Sequence, residues 1–117
     1  MIVAAVDDLL FSSKIRTVGR QVGAELAFAR TPDEILARVR ADRPPLVVFD
    51  LNSTKSDPIA TIAAIRADVT LTNVRVLAFA SHVHVDLIRA ARDAGADEVL
   101  PRSAFAARLP EILSGGK

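Results

Sequence analysis

The chain has 117 residues, half of them hydrophobic, with no cysteine and a formal net charge of +1 at pH 7. This length suits one domain with a single core, and the lack of cysteine excludes disulfides and thiolate metal sites. Near-neutral charge, scattered arginines and the absence of Trp and Tyr argue against a nucleic-acid partner. Without a signal-peptide pattern or an apolar run near the ~20 residues that cross a bilayer, we expect a cytoplasmic, stand-alone domain over residues 1–117 that has no membrane partner.

Five runs along the chain have strand character, and each is followed by a stretch with helical spacing. They start near Ile2, Glu25, Leu46, Val74 and Asp97. Three of the runs are almost continuously apolar, as in strands covered on both faces, whereas the run near Glu25 has polar ends typical of an edge strand. Repeated β-α units predict an α/β fold with a single doubly wound, five-stranded parallel sheet flanked by five helices.

The first two helices have clear sequence signals. The first has an apolar stripe formed by Phe11, Ile15, Val18 and Val22, and Gly23 should end the helix. The second starts with a capping box from Thr31 to Glu34 and with Pro32 at its first position. The two prolines at 44 and 45 prevent it from continuing.

The later helices follow the same logic. Asp57 should cap a third helix from Pro58 to about Asp68. A fourth should end at Gly95, and Ser103 should cap a fifth. Their inward positions are Ile59, Ile62 and Ile65, then Leu87, Ile88 and Ala91, then Phe105, Leu109 and Ile112. Residues from about 114 should fray.

Carboxylates close two of the buried strands. Asp7 and Asp8 follow the run 2–6, and Asp50 follows the run 46–49. The strand order 2-1-3-4-5 would set the first and third strands side by side and bring these acids into one crevice, where such folds bind ligands. Carboxylates about 4 Å apart repel by roughly 4 kcal/mol per pair at an effective dielectric near 20. Either one acid is protonated or a divalent cation neutralises them.

An all-oxygen site of this kind suits Mg²⁺, which keeps several waters and uses one or two carboxylates. We expect Asp8 and Asp50 as direct ligands, the backbone carbonyl of Asn52 as a third, and Asp7 acting through a water. A carboxylate beside the cation can attack phosphorus, and Asp50 is best placed as this phosphoacceptor. Arg102, at the end of the last strand, should contact the phosphoryl group from the other side, or is an exposed charge near the start of a helix.

These residues and two further segments resemble the receiver domain of bacterial response regulators over nearly the whole chain. The segments are 47–52 around Asp50 and 89–96 before the last strand, together with Asp7, Asp8 and residues 12–15. The resemblance supports the order 2-1-3-4-5 and implies Mg²⁺ at the acidic pair. It also implies phosphate transfer to Asp50 from a sensor histidine kinase or phosphotransfer protein. Signalling would then pass to a downstream protein partner, with the chain a monomer or weak homodimer.

The chain departs from the family in the residues of the switch. Ala80 stands where the family has Thr or Ser, and Ser81, one residue later, is either a substitute switch hydroxyl or a cap for the fourth helix. Val99 replaces an aromatic residue, and Arg102 with Ser103 replaces a Lys-Pro pair. A hydrogen bond to a charged group is worth about 1.5–3 kcal/mol, against about 5.5 kcal/mol for a full switch. We expect that Asp50 can be phosphorylated in the presence of Mg²⁺, with a conformational response that is weak or follows another route.

Other functions stay open at this stage. A phosphate-independent pseudo-receiver, acting as a protein-interaction module, is the main alternative. Residues 50–54 are close to the Asp-x-Asp-x-Thr motif of haloacid-dehalogenase-like phosphohydrolases, but Asn52 cannot serve as their general acid, so we predict no enzyme. No Gly-rich loop suggests a nucleotide or flavin site.

Four charged or titratable loop residues have open roles. His82 and His84, near Asp86, form a possible metal or pH-sensing pair or are ordinary loop histidines. Lys55 and Asp57 are either contacts for a phosphodonor or solvated loop charges.

Overall fold

A computed structural model describes residues 1–81 and 84–115 of the chain. Its centre is one parallel five-stranded sheet in the order β2-β1-β3-β4-β5. The strands are β1 Ile2–Ala5, β2 Leu26–Phe28, β3 Leu46–Asp50, β4 Arg75–Ala80 and β5 Glu98–Pro101. The predicted α/β class and strand order 2-1-3-4-5 are confirmed, with β2 at an edge.

Six α-helices lie within the described part of the chain, together with one 3₁₀ turn, Val69–Leu71. They are α1 Leu9–Val22, α2 Pro32–Asp42, α3 Pro58–Ala67, α4 Val85–Ala94, α5 Arg102–Ala107 and α6 Leu109–Gly115. No described helix is long and apolar enough to cross a membrane.

The helix ends show which capping predictions were correct. The Thr31 hydroxyl accepts a hydrogen bond from the backbone N–H of Glu34 at 3.2 Å, and Gly23 ends α1 in the left-handed conformation with φ 73°. Asp57 precedes α3 but makes no side-chain cap, because its own backbone is left-handed with φ 42°. Ser81 does not cap the fourth helix, since α4 starts at Val85 with His84 at the cap position.

The predicted fifth helix is two helices. Its first piece, α5, begins at Arg102 directly after Pro101, so Ser103 lies inside the helix and does not cap it. The break follows from Pro110, which has no N–H to donate to the Ala106 carbonyl and whose ring would clash with that carbonyl. Ser114 and Gly115 are helical in α6, while residues 116–117 lie outside the described residues.

The core has one layer on each face of the sheet. Alternate strand residues point to opposite faces, so Val3 and Val47 pack on the α2, α3 and α4 side while Ile2 and Val48 pack on the α1, α5 and α6 side. Each layer is sealed by fully buried helix residues: Ile35, Val39, Ile62, Ile65 and Ala91 on the first side, and Ile15, Phe105, Leu109 and Leu113 on the second. The predicted inward positions at Ile59, Leu87, Ile88 and Ile112 are partly buried against these layers.

Candidate functional site

The predicted acids meet at the carboxyl end of the sheet. In the β1–β3 pairing Ala5 lies opposite Phe49, so Asp50 ends its strand at the same edge from which Asp7 and Asp8 emerge. Asp50 is only 2% exposed. A carboxylate so deeply buried at the ligand-binding edge of a doubly wound sheet is a candidate reactive group.

Each oxygen of the Asp50 carboxylate has a different neighbour. Oδ1 accepts a hydrogen bond from the backbone N–H of Asn52 at 2.9 Å. Oδ2 lies 3.5 Å from Nη2 of Arg102, which is the first residue of α5. Arg102 therefore lies beside the Asp50 carboxylate, while its predicted contact with a phosphoryl group stays a prediction.

Burial is the largest influence on the ionisation of Asp50, and it raises the pKa of this carboxyl above its ordinary value. The Asn52 N–H and the Arg102 charge act in the opposite direction, and the negative charges of Asp7 and Asp8 raise the pKa further. The acidic pair is therefore close enough to act electrostatically on Asp50. A cation between the acids would relieve this repulsion.

Hydrogen bonds hold both carboxylates of the acidic pair. Asp8 Oδ1 accepts from the backbone N–H of Phe11 at 3.0 Å and so caps α1. Asp7 Oδ2 accepts from the Ser53 hydroxyl at 2.9 Å, and Ser53 is itself buried, its Oγ accepting from the Ser56 N–H at 3.3 Å. Each carboxylate offers about four acceptor positions, so these bonds leave capacity for a ligand.

A magnesium ion fits this set of donors in one particular way. Among residues 1–81 and 84–115, no three His, Cys, Asp or Glu side chains are arranged as a ready-made metal cluster. Mg²⁺ does not need such a cage, because it keeps several waters and takes one or two carboxylates. Asp50 with Asp8 or Asp7 could supply these carboxylate oxygens, and water the remaining ligands.

Arg102 rests on aromatic rings. Its guanidinium carbon lies 5.4 Å from the ring centroid of Phe11 and 5.8 Å from that of Phe79, within the range of cation–π attraction. Phe79 in turn stacks on the buried Phe105 at 4.3 Å. The Nε of Arg102 is buried and has no hydrogen-bond partner among the described residues. The Arg102 side chain is still 38% exposed, so part of it faces solvent beside Asp50.

A cleft of about 640 Å³ opens beside this guanidinium. Phe11, Asn52, Ser81, Arg102 and Ser103 line it, whereas the nearly inaccessible Asp50 does not. The cleft therefore leaves space for a ligand on the Arg102 side.

The side chain of Asn52 has a role that the sequence reasoning missed. Its Oδ1 accepts from the backbone N–H of Ser81 at 3.3 Å, and its Nδ2 lies 2.8 Å from Nδ1 of His84. Ser81 thus contributes its backbone at the site, while a switching role for its hydroxyl stays a prediction. His82 lies outside the described residues, so the predicted histidine pair is not visible as a unit. The polar residues Asn52 and Ser53, two and three positions after Asp50, are the sequence signal that could have indicated these side-chain contacts.

Of the remaining predicted positions, Ala80 lies on the strand beside Asp50, since its neighbour Phe79 pairs with Asp50. Ala80 is fully buried at the end of β4, and Val99 is 6% exposed within the core. Lys55 and Asp57 are exposed in the loop before α3. Their predicted contact with a phosphodonor stays a prediction.

Solved structures similar to this chain are response regulators. One from Hahella chejuensis matches with a TM-score of 0.84 at 19% identity, over 97% of this chain and 91% of that chain. The phosphorylated cyanobacterial phytochrome response regulator RcpA matches with a TM-score of 0.80 at 26% identity, and the Mn²⁺-bound form of response regulator Rcp1 with 0.78 at 20%, each over 97% of this chain and 88% of that chain. No protein-family model and no curated protein matches the sequence. The chain therefore has the receiver fold of response regulators that the resemblance predicted.

Proposed function

We propose that this receiver-fold chain accepts a phosphoryl group on Asp50 in the presence of Mg²⁺, as part of two-component signalling. One observation carries the proposal: the buried Asp50 carboxylate has Arg102 at 3.5 Å and the negative charges of Asp7 and Asp8 acting on it. Similarity to the phosphorylated RcpA and the Mn²⁺-bound Rcp1 supports it.

The proposed chemistry is a phosphoryl transfer. An oxygen of Asp50 forms a bond to phosphorus while the bond from phosphorus to a histidine nitrogen of the donor breaks, and the imidazole leaves with its electron pair. A sensor histidine kinase or phosphotransfer protein is the proposed donor. Asp50 with Asp7 or Asp8, together with the Asn52 carbonyl, would hold Mg²⁺, which would offset charge on the phosphoryl oxygens.

Arg102 would stabilise the added phosphoryl group. Arg102 is 38% exposed and lines the cleft, so its guanidinium could donate to a phosphoryl oxygen held on Asp50. The modified domain then acts through contact with a downstream protein in the cytoplasm, and it turns over no substrate.

The test is phosphorylation by a small acyl phosphate, followed by intact mass. With Mg²⁺ the wild type should gain the mass of one phosphoryl group, and chelation by EDTA should prevent the gain. Asp50→Ala should stay unmodified, whereas Asp33→Ala, at a solvent-facing position in the first turn of α2, should be modified like the wild type. Absence of an Asp50-dependent adduct would reject the proposal.

A phosphate-independent pseudo-receiver is the second candidate, and specific residues favour it. Ala80 offers no hydroxyl at the end of β4, and Val99 is packed in the core in place of a movable aromatic ring. Such a module would bind its protein partner equally well with or without modification. Measuring partner affinity for wild type and Asp50→Ala, each with and without acyl phosphate, separates the two, since four equal affinities favour the pseudo-receiver.

A further inference from the structure

The side chain of Asn52 bridges two loops that follow neighbouring strands. The backbone N–H of Ser81 is a donor, so the Asn52 atom 3.3 Å from it must be the amide oxygen. The amide NH₂ then faces His84, and Nδ1 of His84 must accept at 2.8 Å. The Ser81 contact thus fixes the orientation of the amide group, and the accepting role of His84 Nδ1 follows from it.

Both ends of this bridge connect to further hydrogen bonds. The backbone N–H of Asn52 donates to Asp50 Oδ1 at 2.9 Å. His84 donates its backbone N–H to the Ser81 carbonyl at 3.0 Å, and its own carbonyl accepts from the N–H of Ile88 at 3.2 Å in the first turn of α4. These hydrogen bonds, joined through the residues Asn52 and His84 themselves, therefore link the buried carboxylate to the start of α4.

We propose that the Asn52 side chain is a positioning residue that couples the state of Asp50 to the N-terminus of α4. When Oδ1 of Asp50 stops accepting from the Asn52 N–H, the Asn52 backbone is free to turn, and its amide can no longer hold both Ser81 and His84 in place. This route needs no hydroxyl at Ala80. It depends on the hydrogen bonds of Asp50 and not on phosphorylation, so it extends the proposed function and can fail separately from it.

The test compares two substitutions at Asp50 in three backgrounds by ¹H–¹⁵N NMR. Asp50→Ala and Asp50→Asn both remove the negative charge, but Asn keeps an oxygen that accepts from the Asn52 N–H and Ala does not. In the wild-type background, the amide shifts of Val85–Ile88 should move further for Asp50→Ala than for Asp50→Asn. Asn52→Ala should abolish most of this difference, while Asn73→Ala, in the exposed loop before β4, should preserve it.

His84→Ala provides a second test if Asn52→Ala folds poorly, because the His84 side chain is exposed and its removal should disturb the fold little. It cuts the path at one bond and should also reduce the difference. Equal Val85–Ile88 shift differences in the wild-type, Asn52→Ala and His84→Ala backgrounds would overturn the proposal. An absent phosphoryl adduct in the mass experiment would reject the acceptor function and leave this result unchanged.

Discussion

Replacing Arg102 by alanine should destabilise the fold mainly through the carboxylate that it leaves behind. At the 3.5 Å separation of Nη2 and Oδ2, an effective dielectric near 20 gives an attraction of about 5 kcal/mol. Arg102 is 38% exposed, so solvent screens part of this attraction, whereas the Asp50 side chain is 3% exposed and remains buried as an unpaired charge. We expect a net loss of about 2 kcal/mol in the free energy of unfolding at pH 7.

Urea unfolding of wild type, Arg102→Ala and Arg16→Ala at neutral and acidic pH measures this loss. Arg16 lies 4.6 Å from the Phe28 ring centroid and forms no ion pair among the described residues, so its replacement removes a cation–π contact alone, worth about 0.5–1 kcal/mol at any pH. The Arg102→Ala loss should shrink at acidic pH, because protonated Asp50 needs no partner. An Arg102→Ala loss that matches the Arg16→Ala loss, or that is equal at both pH values, refutes the reasoning.

Three further outcomes follow from other contacts. Burial raises the folded-state pKa of Asp50, so ionisation of Asp50 destabilises the fold as the pH rises from the ordinary pKa of 3.8 through the raised one. Asp50→Asn should therefore raise the urea midpoint at pH 7 but not at a pH below this window. Midpoints that Asp50→Asn leaves unchanged at pH 7 contradict this. Ser53→Ala should weaken Mn²⁺ binding, measured by electron paramagnetic resonance, about tenfold by releasing Asp7, while Ser53→Thr keeps the hydroxyl and most of the affinity. Gly95→Ala should cost about 1–3 kcal/mol in thermal unfolding, because φ is 115° and the new Cβ would overlap Arg66; Gly115→Ala, with open space around it, is the neutral control.

The fold was predictable because its signals are local. Apolar runs ending in acids marked β1 and β3, and the capping box at Thr31 marked α2. The pairing of β1 with β3 needed an argument across the chain, which the placement of the acids and the family resemblance supplied.

The site was only partly predictable because several of its contacts join residues far apart in sequence. Ser53 and Asp7 are 46 positions apart, and Ser81 and Asn52 are 29 apart, so neither contact produces a periodic pattern in the sequence. The aromatic support of Arg102 likewise depends on how Phe11 and Phe79 pack across the layer. The break before α6, by contrast, had a local signal in Pro110 that the apolar spacing of the last helix obscured.

Both edge strands of the sheet are short. At one border β2 has three residues, and at the other β5 has four, the last of which is Pro101 and has no N–H to offer. Because both edge strands are short and one ends in proline, an extended peptide would find few backbone groups to pair with by strand addition. Recognition of this molecule by another protein should therefore use helix surfaces and loop side chains.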